Sequence, residues 1–289
     1  MTLPVDHFSP SQIGAMRDCL RLVEYRYCRK LPRKVQPLNM ALGNVVHKTA
    51  AQDYTHRIDK GSYLPDEAVI ALADEAFKTE TMEVRWSVEE QKQPDALDSA
   101  RAMAQAHHLN VAPLVRPVKI EHRMSAPIRG LPVDLVGIAD VIAEFGVGIT
   151  VKGHTSDDDK VLMRSGRHVR DTKTSGKAPH GIKEGIIVPD ARHVAQLATY
   201  KLISQANGTP AVETWLDYVW PTKGGQSKPT RVDVTQRDVE LALEDYAMLL
   251  RLYESGLFPR TGRGGWICKP GKCDYYEDCI LGPSRKLDL

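Results

Sequence analysis

Apolar residues return every three or four positions, with few breakers, through about 43–59, 66–84 and 96–115, which predicts a helix-rich first third. Such a segment reads as a lid or wrapping layer. Ahead of it, Ser9-Pro10-Ser11-Gln12 reads as a helix start, with a serine cap, proline at the first helical position and glutamine three residues after the cap. Cys19 then falls near the end of that helix or just beyond its middle. From Val118 to Lys173 the pattern changes to short apolar runs between Gly, Pro and polar turns: VKIEH, VDLVGIADVI, VGITV and HVRDTK. These read as adjacent strands. A helix over about 191–206, two strand-like runs (ETWLDYVW and KPTRVDVT) and a helix over about 236–255 precede a cysteine-rich tail. The order, helices then strands then both, fits an α/β or α+β core carrying a helical annex. We expect one domain: annex 1–115, core 116–256 and tail 257–289.

The 289 residues and 42% hydrophobic content suffice for one sizeable core, or one core with a small appendage. No stretch approaches the roughly 18 apolar residues of a membrane span, and MTLPVDHFSP lacks the basic-then-apolar order of a signal peptide. A cytoplasmic protein with no membrane partner is expected. Thiols stay reduced in that compartment, so clustered cysteines are expected to hold a metal or cluster rather than pair as disulfides. Cys19 stands apart, whereas Cys268, Cys273 and Cys279 lie together in CKPGKCDYYEDC. Four thiolates can hold zinc or iron–sulfur, although zinc sites usually show two close pairs. Cys28, the fifth, reads as an unligated helix thiol. Trp266, Tyr275 and Tyr276 would pack around the cysteines or offer a stacking surface to single-stranded bases, packing being preferred. The net charge of +2 says little, because nucleic-acid binding needs only a local basic surface. Arg21, Arg26, Arg29, Lys30, Arg33 and Lys34 supply either such a surface or a solvated helix face.

Asp171 and Lys173 carry the clearest chemistry, because side chains two apart on a strand share one face. Asp140 ends a second apolar run, GIAD, and would sit beside Asp171 if the two strands pair. Two converging carboxylates make a hard-oxygen site suited to Mg²⁺ or Mn²⁺. Lys173 could then orient a water or stabilise charge developing on phosphorus. A lone Asp-x-Lys occurs on many exposed strands, so the neighbouring residues decide.

Those neighbours are ordered. Gly43 to His47 forms G-x-x-x-H, Gly137 to Asp140 forms G-x-x-D, Asp171 to Lys173 forms D-x-K, and Gln196 to Tyr200 forms Q-x-x-x-Y. In this order they resemble the RecB-like branch of the PD-(D/E)XK nuclease superfamily. The opening SPSQIGAMRDCLRLVEYRY and the three terminal cysteines are similar to its iron–sulfur subset, which includes AddB and CRISPR-associated RecB-like exonucleases. The resemblance implies a restriction-endonuclease-like core with a central mixed sheet flanked by helices. It also implies that His47, Asp140, Asp171 and the carbonyl of Thr172 ligate Mg²⁺ or Mn²⁺, with Lys173 as the catalytic lysine. Gln196 and Tyr200 would contact DNA or support the site, and Glu121 is a weaker acidic candidate. Cys19, Cys268, Cys273 and Cys279 would hold a [4Fe–4S] cluster stapling the N-terminal helix to the tail.

The implied activity is metal-dependent DNA exonuclease cleavage of single strands or DNA ends, in recombination, repair or CRISPR spacer processing in a bacterial or phage-infected cell. No G-x-x-x-x-G-K-[ST] loop is present, so unwinding would fall to a separate helicase; an annealing protein or a CRISPR integrase is another implied partner. A DNA-end-binding or assembly subunit that does not cut is the alternative, and a redox-sensing cluster protein is a third. Two departures stand out. The span from Asp140 to Asp171 is long and contains GHTSDDDK, which predicts an extra flap or hairpin, with Asp157, Asp158 and Asp159 solvated. The gap between Cys268 and Cys273 also exceeds the two-residue gap common in the family.

Overall fold

The computed structural model describes residues 3–33, 37–82, 84, 93–152, 160–181, 187–222, 224–260, 265, 267–270 and 272–281. Lys34, Asp157, Asp158, Asp159 and Trp266 lie outside the described residues.

The six-stranded main sheet is built from β1 (His7–Phe8), β2 (Pro117–Ala126), β3 (Asp134–Phe145), β6 (Gly166–Thr174), β7 (Ala211–Trp220) and β8 (Gln226–Val232). It is mixed. β3 pairs antiparallel with β2 and β6, β6 runs parallel to β7, and β8 returns antiparallel to β7. The parallel β6–β7 step requires a crossover, and α6 (Ala191–Ala206) supplies it. Short β1 pairs in parallel with the start of β3, so Leu135 lies between Phe8 and Ala126.

Helices cover both faces. The long α3 (Leu38–Lys60), α4 (Asp66–Glu80) and α5 (Gln93–Asn110) bury Val45, Val46, Phe77 and Met103 in an annex core that reaches the sheet at Val219. On the other face, α1 (Pro10–Asp18), α6 and α7 (Gln236–Ser255) close over Leu135, Ile142, Val169 and Leu216. Helix ends follow local chemistry. Thr235 and Asp238 form a reciprocal capping box at the start of α7, and Gly256 ends it at φ 65°.

Three sequence expectations need correction. Ser9 makes no side-chain cap, because its hydroxyl meets Ser11 and Gln12 donates instead to the His7 carbonyl at 3.1 Å, tying α1 to β1. VGITV does not join the main sheet: Thr150–Lys152 is β4, paired only with β5 (Lys160–Leu162) in a separate hairpin. That hairpin is the expected insertion between Asp140 and Asp171. Finally, the third helix stops at Asn110 and a 3₁₀ turn over Ala112–Leu114 leads into β2.

The Asp140–Asp171 fork

The site lies where two strands part. The β3–β6 ladder ends at the pair Val141–Arg170, while β6 continues beside β7 to Thr174. One step beyond that last pair stand Asp140 and Asp171. With no ladder partner from β3, the Thr172 N–H donates to Asp140 Oδ2 at 2.6 Å, so this carboxylate lies in the plane of the sheet. The strand turns over at the same point. Leu135 and Ala139 face the α6 side, whereas Val141 and Ala143 belong to the cluster on the opposite face. Across from Asp140, Glu121 adopts φ 44°, left-handed and strained for a non-glycine residue. Glu121 is exposed, and the contacts of Asp140 run to His47 and Thr172.

His47 and Gln196 reach the fork from helices on opposite faces. His47 Nδ1 on α3 lies 3.2 Å from Asp140 Oδ2. Gly43, one turn earlier, allows this approach, since a Cβ there would meet Thr174 Oγ1 at 2.7 Å. From α6, Gln196 Nε2 donates to Asp171 Oδ1 at 2.9 Å and to the Tyr200 hydroxyl at 2.6 Å. Its Oε1 accepts from Lys173 Nζ at 2.8 Å, and Lys173 also forms an ion pair with Asp171 Oδ2. Tyr200 donates to the Ile138 carbonyl at 2.6 Å. Its ring occupies the space beside Gly137, where a Cβ would lie 2.6 Å from Cε1. The two glycines of the G-x-x-x-H and G-x-x-D patterns are therefore packing requirements, which spacing alone does not reveal.

Electrostatics separate the two aspartates. Burial pushes Asp171 up to about 6, reinforced by Asp140 and opposed by Lys173 and His47. Asp140 is held below the ordinary carboxylate range, because His47 and the Thr172 N–H outweigh its burial. His47 is raised, the Asp140 charge overcoming desolvation. His193, absent from the sequence reading, is lowered to about 4 by burial and by the Lys173 ammonium.

Behind the fork, fully buried Arg170 donates from Nε and Nη2 to the two Asp217 oxygens at 3.0 and 2.6 Å and lies 4.6 Å from the Trp215 ring centre. This pair locks β6 to β7 one residue from Asp171. Sequence inspection passed over it because a lone Arg and a lone Asp 47 residues apart carry no visible pairing signal.

A family model for the PD-(D/E)XK nuclease superfamily matches residues 7–279. The chain belongs to that superfamily. The fold agrees with a solved structure from Eubacterium rectale named "Putative exonuclease", at TM-score 0.56 and 12% identity, over 90% of this chain and 85% of that one. No curated protein matches.

Superfamily nucleases use divalent metals such as Mg²⁺ or Mn²⁺. Among the described residues, no group of three His, Cys, Asp or Glu side chains is arranged to hold an ion. The donor set nevertheless suits one. Asp171 Oδ2 is buried, is engaged by the Lys173 ammonium, and shares the fork with Asp140 and His47. In this conformation Lys173 and Gln196 engage the carboxylate that a metal would claim.

At the other end of the nuclease chain, the tail docks on the N-terminal segment. Tyr275 donates to the Leu31 carbonyl at 3.0 Å and packs edge-on against Tyr25. Cys273 and Cys279 are raised, chiefly by burial, and each has Cys19 among its electrostatic neighbours. None of the five cysteines is paired in a disulfide. Cys268 lies five residues before Cys273, its N–H bonded to the Gly265 carbonyl at 3.0 Å. Three cysteines thus share a neighbourhood without forming a cage. Burial and Glu24 push Cys28 up to about 11. The basic run is partly engaged by the fold: Arg21 pairs with Glu24, Arg26 reaches Asp274 at 3.4 Å and Arg29 lies over the Tyr25 ring.

Proposed function

We propose that this nuclease is a Mg²⁺- or Mn²⁺-dependent DNA exonuclease that hydrolyses phosphodiester bonds in single strands or at DNA ends. One observation carries the reading: two carboxylates, an imidazole and a lysine gather at a strand fork, with one carboxylate oxygen buried against the lysine ammonium. Asp140, Asp171, His47 and the Thr172 carbonyl would hold the ion. When bound, it would lower the pKa of a water and polarise the scissile phosphate. Lys173, released from Asp171, would orient the water or stabilise charge on the phosphate oxygens. Gln196 would keep Lys173 and Asp171 in register through its two hydrogen bonds, and Tyr200 would anchor Gln196 to β3. The DNA would be delivered by a separate helicase, annealing protein or CRISPR integrase, in the cytoplasm of a bacterial or phage-infected cell.

The grouping of Cys19 with Cys273 and Cys279 supports a second element of the proposal, a structural [4Fe–4S] cluster completed by Cys268. Metal binding there would couple to docking of the tail on the N-terminal helix. Iron and sulfide analysis of anaerobically purified protein tests it directly; zinc in place of iron would overturn it.

The activity is tested by incubating anaerobic protein with Mn²⁺ and 5′- or 3′-labelled single- and double-stranded DNA, beside Lys173→Ala. Cleavage lost in the variant supports the proposal, and the surviving label reports polarity. Tight DNA binding without cleavage by the wild type would favour the non-cutting assembly subunit instead.

A further inference from the structure

A crevice of about 260 Å³ opens between β2, β3, β6 and the C-terminal end of α6. Lys119, His122 and Arg167 line it, with Ser204, Asn207 and Thr209. Among the described residues no carboxylate lines it. Lys119 Nζ donates to His122 Nε2 at 3.4 Å, which orients the ammonium along the wall of the crevice. Arg167 pairs with Glu144, opposite it on β3, at 2.9 Å. Burial first, then Lys119 and Arg167, make His122 harder to protonate, so it meets the ammonium as a neutral acceptor.

The crevice also offers neutral donors. Ser204 is 2% exposed, and the one hydrogen bond its hydroxyl donates goes to the Met124 thioether at 3.6 Å, a weak acceptor. A hydroxyl buried against a sulfur is free to turn toward a better acceptor. Asn207 already donates to the Ser125 carbonyl at 3.0 Å at the rim. Cations and hydroxyls converging without a carboxylate match a phosphate group.

We infer that this crevice is a phosphate-binding site separate from the Asp140–Asp171 fork, with Lys119 and Arg167 as its principal cations. Its place on the fold gives it a use. Ile142, in its wall, is two residues along β3 from Asp140, about 7 Å of strand. Ser204 lies two turns of α6 beyond Gln196, about 12 Å along the helix. Phosphate held there is close enough to belong to the same nucleic-acid strand as a phosphate at the fork, and a free phosphate or nucleotide presents the same chemistry. The strand version rests on the nuclease reading above; the phosphate site itself does not.

The experiment measures binding in EDTA, without any need for cleavage. Wild type, Lys119→Gln/Arg167→Gln and Lys119→Arg are titrated with inorganic phosphate by thermal shift, and with a labelled single-stranded oligonucleotide by anisotropy across a salt series. For a strand site, the double variant loses the phosphate-induced stabilisation, binds the oligonucleotide several-fold more weakly, and shows a log Kd against log salt slope smaller by about 1 to 2. Lys119→Arg retains both. Loss of the phosphate response with unchanged oligonucleotide binding assigns the site to free phosphate or nucleotide. A double variant that folds and responds to both probes like wild type overturns the inference. Because none of these readouts is cleavage, an inactive wild type would refute the nuclease proposal and leave this one standing.

Discussion

Gly137→Ala should injure the fork from beneath. The added Cβ would lie 2.6 and 2.7 Å from Tyr200 Cε1 and Cδ1, nearly 1 Å inside ordinary contact. Tyr200 has little room to yield, being 2% exposed and bonded through its hydroxyl to the Ile138 carbonyl and Gln196. Overpacking of this kind costs about 1–3 kcal/mol, less a few tenths regained from removing a strand glycine. In a chain of this size that corresponds to a fall of about 2–8 °C in Tm. The effect on cleavage should be larger than the effect on stability, since Tyr200 moves Gln196, and Gln196 holds Lys173 and Asp171. We expect kcat to fall by about 10- to 100-fold, as for small misplacements of catalytic groups. Thermal unfolding and initial cleavage rates with Mn²⁺ measure both. The decisive comparison is a cycle with Tyr200→Leu, whose smaller side chain leaves room for the methyl, so Gly137→Ala should cost almost nothing in that background. An unaltered Tm and rate for Gly137→Ala, or an equal loss in the Tyr200→Leu background, would refute the reasoning.

Asp217→Ala should destabilise the protein by about 3–5 kcal/mol, read by urea unfolding, because it strands the buried Arg170 guanidinium. Acid should weaken the fold through histidines kept neutral. His107 and His193 are lowered to about 4, chiefly by burial, so between roughly pH 6.5 and 4 the unfolded chain binds protons that the folded one refuses. Their contribution is therefore complete above pH 6.5 and lost as pH falls through about 4; His107→Gln should show a smaller stability difference between pH 7.5 and 5 than wild type. Glu121→Gly should cleave normally and be at least as stable as wild type, since glycine relieves the φ 44° backbone, whereas Glu121→Val should lose about 1–2 kcal/mol. Equal behaviour of the two Glu121 variants in unfolding and cleavage would argue for a side-chain role instead.

The helices over 191–206 and 236–255 were legible in the sequence because their periodicity and end signals are local. The residues that gather at the fork were legible chiefly because their ordered short patterns resemble those of a nuclease family, with Asp-x-Lys on a strand presenting one face. The resemblance to the nuclease family also foretold an insertion, because the span from Asp140 to Asp171 is longer than is usual there. Tertiary structure alone decided what those patterns are for. Whether VGITV joined the main sheet depended on pairing partners, and it paired with β5 instead. That Gly137 makes room for Tyr200, that Arg170 answers Asp217, and that Glu121 turns the strand over opposite Asp140 are contacts between segments far apart in the chain. Local sequence encodes propensity and face; close approach, buried charge pairing and the end of a ladder exist only once distant strands and helices have packed.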